Sequence, residues 1–267
     1  MTETQRGADG RAYRAAAGRA ERTAQAPAMA AAPAAVAAGP IEGGGRVVAG
    51  DGPAAEAAVG YAQDLGWPLT PGFAVDGERC GCGRAPCPDL GAHAVPGAWR
   101  VASCATPTLV RVVWRMCAGA PVLAVLGRAV PGAARLGAVQ APALIGVAAL
   151  ELLSKRTAAQ GPVVDGHGRI SFLVDLGAGE RSAERDEEDF GRWRRAGMEL
   201  TVLGADEERA YVPLPTPGHS GRCGVVWAVA PQPGRELPPL CAVAEVFDRA
   251  VRSTYPSLWS TVHAGWV

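Results

Sequence analysis

Lysine is almost missing from this chain: Lys155 is the only one, and every other basic side chain is arginine. Aromatic residues make up only 6%, and neither charge is in excess, with 26 basic residues against 26 acidic ones. A neutral chain has no global field to draw in nucleic acid or an anionic membrane, so binding of that kind has to be local. The first residues are polar and charged with no apolar h-region, and the expectation is a reduced, cytoplasmic protein. No aspartate or glutamate stands between Asp89 and Glu151. That removes from the region the carboxylates with which proteins hold hard divalent metals. The apolar run from Leu136 to Leu153 contains Gln140, Pro142, Gly146 and Glu151 and much alanine. It is read as a buried helix of a core, not a membrane span.

Large apolar side chains are also scarce in residues 1–52, where Ala, Gly, Pro and Arg dominate. Such a segment buries too little surface to offset its ordering entropy and is expected to be a disordered tail. The domain is placed at 53–253, with 254–267 as a C-terminal tail. Ala54 to Leu65 reads as a helix ended by Gly66. Trp67 to Val75 reads as extended. Thr106 is expected to cap a helix that opens at Pro107. Pro121 to Leu126 reads as a buried strand, Pro142 to Ala159 as a helix and Arg169 to Leu176 as a strand. Ser182 to Arg195 reads as a solvated charged helix or loop. Strands are expected in Met198 to Leu203, Ala210 to Leu214 and Gly224 to Ala230, and a closing helix in Leu240 to Arg252. Helices and strands interleave without a regular βαβ rhythm. The expected class is α+β, a mixed or antiparallel central sheet flanked by helices, with a small zinc-binding loop.

What is present is a cluster of metal-ligand types. Cys80, Cys82, Cys87 and His93 fall in one Gly- and Pro-rich stretch, and the turn residues between them let the loop fold back. Three thiols and an imidazole are the composition of a closed tetrahedral zinc site, Cys3His, with no open position for water. The rival reading is chance, since the chain has 7 cysteines and the spacing is not the paired Cys-x2-Cys knuckle. Cys104, Cys117, Cys223 and Cys241 are scattered and read as small buried hydrophobes.

The remaining candidates each have a plainer alternative. His167 sits between two glycines near Asp165 and reads as a general acid, a phosphate contact or an exposed turn residue. Arg169 reads as a phosphate contact or a solvated strand-start charge. His219 and Arg222, in a loop between strands, read as remnants of a nucleotide-binding surface or as plain loop residues. Glu199 reads as a metal ligand or a strand-face charge. Arg192, Arg194 and Arg195 around Trp193 suit phosphate contact with base stacking, or ion pairs on a solvated helix.

The ordered set of segments resembles the bifunctional DNA primase/polymerase N-terminal domain, the Prim-Pol branch of the archaeo-eukaryotic primases, over roughly residues 54 to 250. The opening Tyr61-Ala62 pair, then Gly66-Trp67-Pro68 and a strand reaching Pro71, is similar to the family's start. The cysteine loop ending in Gly91-Ala92-His93 is similar to that of actinobacterial members. Gly166-His167-Gly168-Arg169-Ile170-Ser171-Phe172 resembles the turn and strand that carry the family's catalytic histidine. Tyr211 to Thr216 and Gly224 to Trp227 resemble its later segments. The resemblance implies a primase-polymerase fold, two Mg2+ or Mn2+ ions in active members, and a nucleotide or single-stranded nucleic acid as partner. The chain departs from it at the chemistry. The expected Asp-x-Asp or Asp-x-Glu pair is absent from Val125 to Leu136, and Ile170 stands at the histidine position. Glu199 and His167 are the only weak catalytic candidates, with Asp165 and Asp175 as the other acidic groups in the core. The expectation is therefore a degenerate domain that retains nucleotide binding. The alternatives are an active enzyme with shifted carboxylates, and a zinc-stabilised interaction module with a protein partner and no membrane.

Overall fold

The computed structural model describes residues 52–77, 79–87, 89–96, 106–128, 134–155, 160–177, 190–194, 197–205, 210–219 and 224–256. The N-terminal tail, apart from Gly52, lies outside them, as do Arg195, Arg222, Trp259 and Trp266.

Helix α1 (Pro53–Leu65) starts on a proline, whose missing N–H costs nothing at a helix start, and stops at Gly66 in the left-handed conformation. Its buried face is almost all alanine (Ala54, Ala55, Ala58, Ala62), which lets α2 (Pro107–Met116) approach closely. Thr106 occupies the N-cap position of α2 in extended conformation, but its side chain makes no cap hydrogen bond. The helix start rests on Pro107 instead.

Strands β1 (Leu69–Pro71), β4 (Val122–Val125) and β9 (Tyr211–Pro213) form one antiparallel sheet in the order β1-β4-β9. All four residues of β4 are buried, which explains its uninterrupted apolar sequence. Thr216 ties this sheet down. Its hydroxyl accepts from the Val122 N–H and donates to the Leu214 carbonyl, both at 3.0 Å, and the residue is buried. Thr216→Val keeps the shape and strips both bonds. It is expected to lower stability by about 1–3 kcal/mol, because the buried Val122 N–H is orphaned. Urea denaturation checks this, and a change within error would refute it.

The main sheet contains β5 (Leu136–Pro142), β6 (Val163–Gly166), β7 (Arg169–Asp175), β8 (Thr201–Leu203) and β10 (Val226–Val229), in the order β10-β6-β7-β5-β8. Every neighbouring pair is antiparallel. Helix α3 (Ala143–Leu153) connects β5 to β6 across β7, and a helical turn at 190–194 precedes β8. This is a split β-α-β arrangement of the ferredoxin-like kind, with β10 added at the β6 edge. A short hairpin, β2 (Val75–Asp76) with β3 (Arg79–Cys80), stands apart.

Alternation along β5 and β7 sends residues to two cores. Val139, Ala141, Ile170, Phe172 and Val174 face α3 and the closing helix α4 (Leu240–Thr254), where Phe172 meets Phe247 edge-to-face at 4.9 Å. Leu136, Ala138 and Leu173 join α1, α2 and the three-stranded sheet.

The structure corrects three expectations. The run Leu136 to Leu153 is not one helix: its first seven residues are β5, and only Ala143–Leu153 is helical. Pro142, at φ −55° and ψ 148°, marks the switch, because proline biases the residue before it toward extended backbone. Strand β6 had no counterpart in the sequence reading. Trp193 is not on a solvated face. It is buried with Phe190, and Arg192 lies over its ring at 5.4 Å while pairing with Asp248 at 3.7 Å. A base cannot stack on that ring. No helix among the described residues is long and apolar enough to cross a membrane.

Candidate metal centre and polar sheet face

The hairpin sets the first ligand. Val75 pairs with Cys80, Gly81 N–H donates to Ala74 O at 2.9 Å, and Gly83 N–H turns back to Cys80 O at 3.2 Å. The last ligand is fixed from the other side, where Phe73 N–H donates to His93 O and Gly72 bridges Ala94. Phe73 also packs on the His93 ring at 4.7 Å. Between these two anchors the loop closes on itself. His93 Nε2 lies 3.3 Å from Cys80 Sγ and 3.4 Å from Cys87 Sγ, and one atom from each of Cys80, Cys82, Cys87 and His93 lies within 4.8 Å of the others.

Four donors this close can hold a metal ion. Bonds of about 2.0–2.3 Å to a central ion put tetrahedral ligand atoms about 3.3–3.8 Å apart, and both sulfur–nitrogen distances fall there. The electrostatics agree. A hydrogen bond from Arg84 N–H, at 3.4 Å, chiefly lowers the Cys82 thiol below its usual range. Burial, with Cys80 and Cys82 alongside, pushes the Cys87 thiol up to about 11. Thiolates in contact cannot all ionise without a cation between them. Burial also holds His93 below the ordinary histidine value, leaving its ring neutral and able to ligate.

The second site is one end of the main sheet on the face turned toward α1 and α2. Thr201, Gln140 and Ser171 lie side by side across β8, β5 and β7, and Gln140 Nε2 donates to Ser171 Oγ at 3.4 Å. Further along that end, Arg169 and Glu199 form an ion pair at 2.7 Å, with Glu199 largely exposed. Arg169 is therefore a paired charge. The sequence reading missed the Thr201–Gln140–Ser171 row, because it exists only through register between distant segments.

The other acidic candidates do not converge. Asp165 pairs with Ile170 in register, on the alternate side from Val164 and Ser171. Asp175 lies six residues from Arg169 along β7, about 20 Å at strand rise. Its Oδ1 accepts from Arg135 N–H at 3.1 Å and Gly177 N–H at 2.8 Å, a structural use. Catalytic metal pairs sit about 3.5–4 Å apart, so these three carboxylates cannot share one. Among the described residues, the Cys/His cluster is the one grouping able to hold a metal.

His167 is an exposed turn residue at φ 55° between β6 and β7. His219 is half-buried, and its N–H donates to Thr216 O at 2.9 Å. Both border a small recess beside Gly91 and Ala92 of the cysteine loop. Tyr61, Trp67 and Trp227 form a second feature the sequence reading did not assemble, three rings with centroids 6.0–6.5 Å apart. Comparison with protein-family profiles, curated proteins and solved structures found no match for this chain.

Proposed function

We propose that this chain is a primase-polymerase-like domain that has lost templated nucleotidyl transfer, keeps a nucleotide- or single-strand-binding face, and is braced by a structural zinc ion. Zinc fits the donor set: three soft thiolates and an imidazole favour Zn2+ over the hard cations, and four protein ligands leave no place for a reacting water. The ion would brace the loop without taking part in chemistry.

The observation that carries the functional reading is the polar end of the main sheet. Among the described residues it presents the half-buried Thr201 and Gln140, the latter donating to the buried Ser171, and the Arg169–Glu199 ion pair. Such a surface suits sugar, base-edge and phosphate contacts. Among the described residues it lacks the oxygen ligands that two divalent metals need. The antiparallel split β-α-β sheet and the order of segments along the chain support the same reading.

Primer extension on a templated substrate with Mg2+ or Mn2+ is expected to give no product. Titration with nucleoside triphosphates and short single-stranded DNA is expected to show weak binding that falls as salt rises. Synthesis abolished by Glu199→Ala or Asp175→Ala would overturn the inactive assignment. Absence of any binding at low salt would overturn the retained face and leave a zinc-braced interaction module.

A further inference from the structure

Tyr61 and Trp227, with the buried Trp67 packed against both rings, line a groove of about 500 Å3, walled by Pro215, Pro217, Pro231 and Pro233. It continues past Asp64, Leu65 and Pro231 into a second hollow of about 300 Å3 that reaches Glu236. We propose that this groove docks a proline-rich segment of a protein partner, one carrying a basic residue beside its prolines.

Two observations select that occupant. First, the polar atoms of the aromatic floor are already used: Trp227 Nε1–H donates to Tyr61 Oη at 3.1 Å, and the Tyr61 hydroxyl donates to Pro215 O at 2.7 Å. The bonds hold the rings in place and leave a floor with no donor to offer. An ordinary extended peptide or a nucleobase would bury polar groups there without partners, at a cost for each. A floor without a free donor strands buried carbonyls, and a polyproline helix keeps its carbonyls in water while its rings fill gaps between aromatic side chains. The four groove prolines fix the walls, so little ordering is required on binding. Second, the rim carries two exposed carboxylates, Asp64, shared by both hollows, and Glu236, against one exposed cation, Arg235, among the described residues. Carboxylates complement a basic residue and repel a phosphate backbone.

This inference does not depend on the primase-polymerase reading, and its test can fail separately. The intact protein is titrated by calorimetry, with tryptophan fluorescence in parallel, against a synthetic peptide of about twelve residues built on repeated Pro-Pro-Leu with a flanking arginine. Micromolar binding is expected. Replacing the peptide's prolines with alanine should weaken it at least tenfold. The protein variant Asp64→Lys, changed only at an exposed helix position, should weaken it about two- to fivefold. No heat and no fluorescence change, equal binding by the alanine peptide, or displacement of the peptide by oligo-dT would each overturn the proposal, the last by giving the groove to nucleic acid.

Discussion

Chelation of the purified protein is expected to remove about one zinc per chain and to lower its melting temperature, and Cys80→Ser is expected to do the same without chelator. The loop has little else to hold it. Strands β2 and β3 are two residues each, and few backbone hydrogen bonds cross the loop from Cys82 to Ala92 among the described residues. A site occupied a thousandfold above its dissociation constant adds about 4 kcal/mol to the folded state. In a domain of this size that is roughly 8–16 °C. The pH dependence follows from the ligands. His93 is held below its ordinary value, so the folded state favours its neutral form. That contribution is complete above the unfolded value near 6.5 and is lost as pH falls through the lower folded value. Metal should thus be retained at neutral pH and released in mild acid. Because the Cys87 thiol of the metal-free loop stays protonated up to about 11, zinc binding near pH 7 must expel protons, measurable with a pH indicator. Metal content near zero after purification without chelator, or a melting temperature unmoved by its removal, would refute the site.

The metal ligands were legible in the sequence because the whole constellation is local, spanning Cys80 to His93 with turn residues between. The helices α1, α2 and α4 were legible for a similar reason: proline opens the first two, and all three carry apolar residues at helical spacing. Strand β5 was not. Its residues are apolar on both sides because Ala138 faces one core and Val139 the other, and a fully buried strand has no period to read. The helical turn at 190–194 was misread as solvated because charges surround it. Yet Phe190 and Trp193 stand three residues apart, a one-turn apolar stripe that signals a buried face. The polar row of Thr201, Gln140 and Ser171 lay beyond reach for a different reason. No local rule joins residues 140, 171 and 201; only strand register does, and with β5 misassigned the register could not be written.

The opposite end of the main sheet from that polar row depends on two glycines, and the effect of Gly127→Ala is expected to be severe. Gly127 ends β4's run and Gly204 follows β8, and their backbones cross where the two sheets meet. A Cβ on Gly127 would collide with the Gly204 carbonyl, while a Cβ on Gly204 would lie 2.6 Å from Gly127 N. The crossing is tied by Gly127 N–H to Leu136 O at 2.8 Å and by Arg135, whose guanidinium donates to Gly127 O at 3.1 Å and Ala205 O at 3.2 Å. The opposing atoms are backbone, so they cannot swing aside as a side-chain tip would. Gly127 also sits at φ 75°, where a Cβ costs about 1–2 kcal/mol. Forced separation of the strands adds about 1–3 kcal/mol. Gly168 separates the two effects. It shares the left-handed backbone, at φ 71°, but a Cβ added there would meet nothing within 4 Å. Gly168→Ala should therefore lose only the backbone part, about 1–2 kcal/mol. In urea denaturation, Gly127→Ala should be less stable than Gly168→Ala by at least about 1 kcal/mol. Equal losses would mean that the sheets are not locked at this crossing. A larger loss for Gly127→Ala means that the sheets are fixed together at one end of the main sheet, so the polar row at the other end is held on a rigid frame.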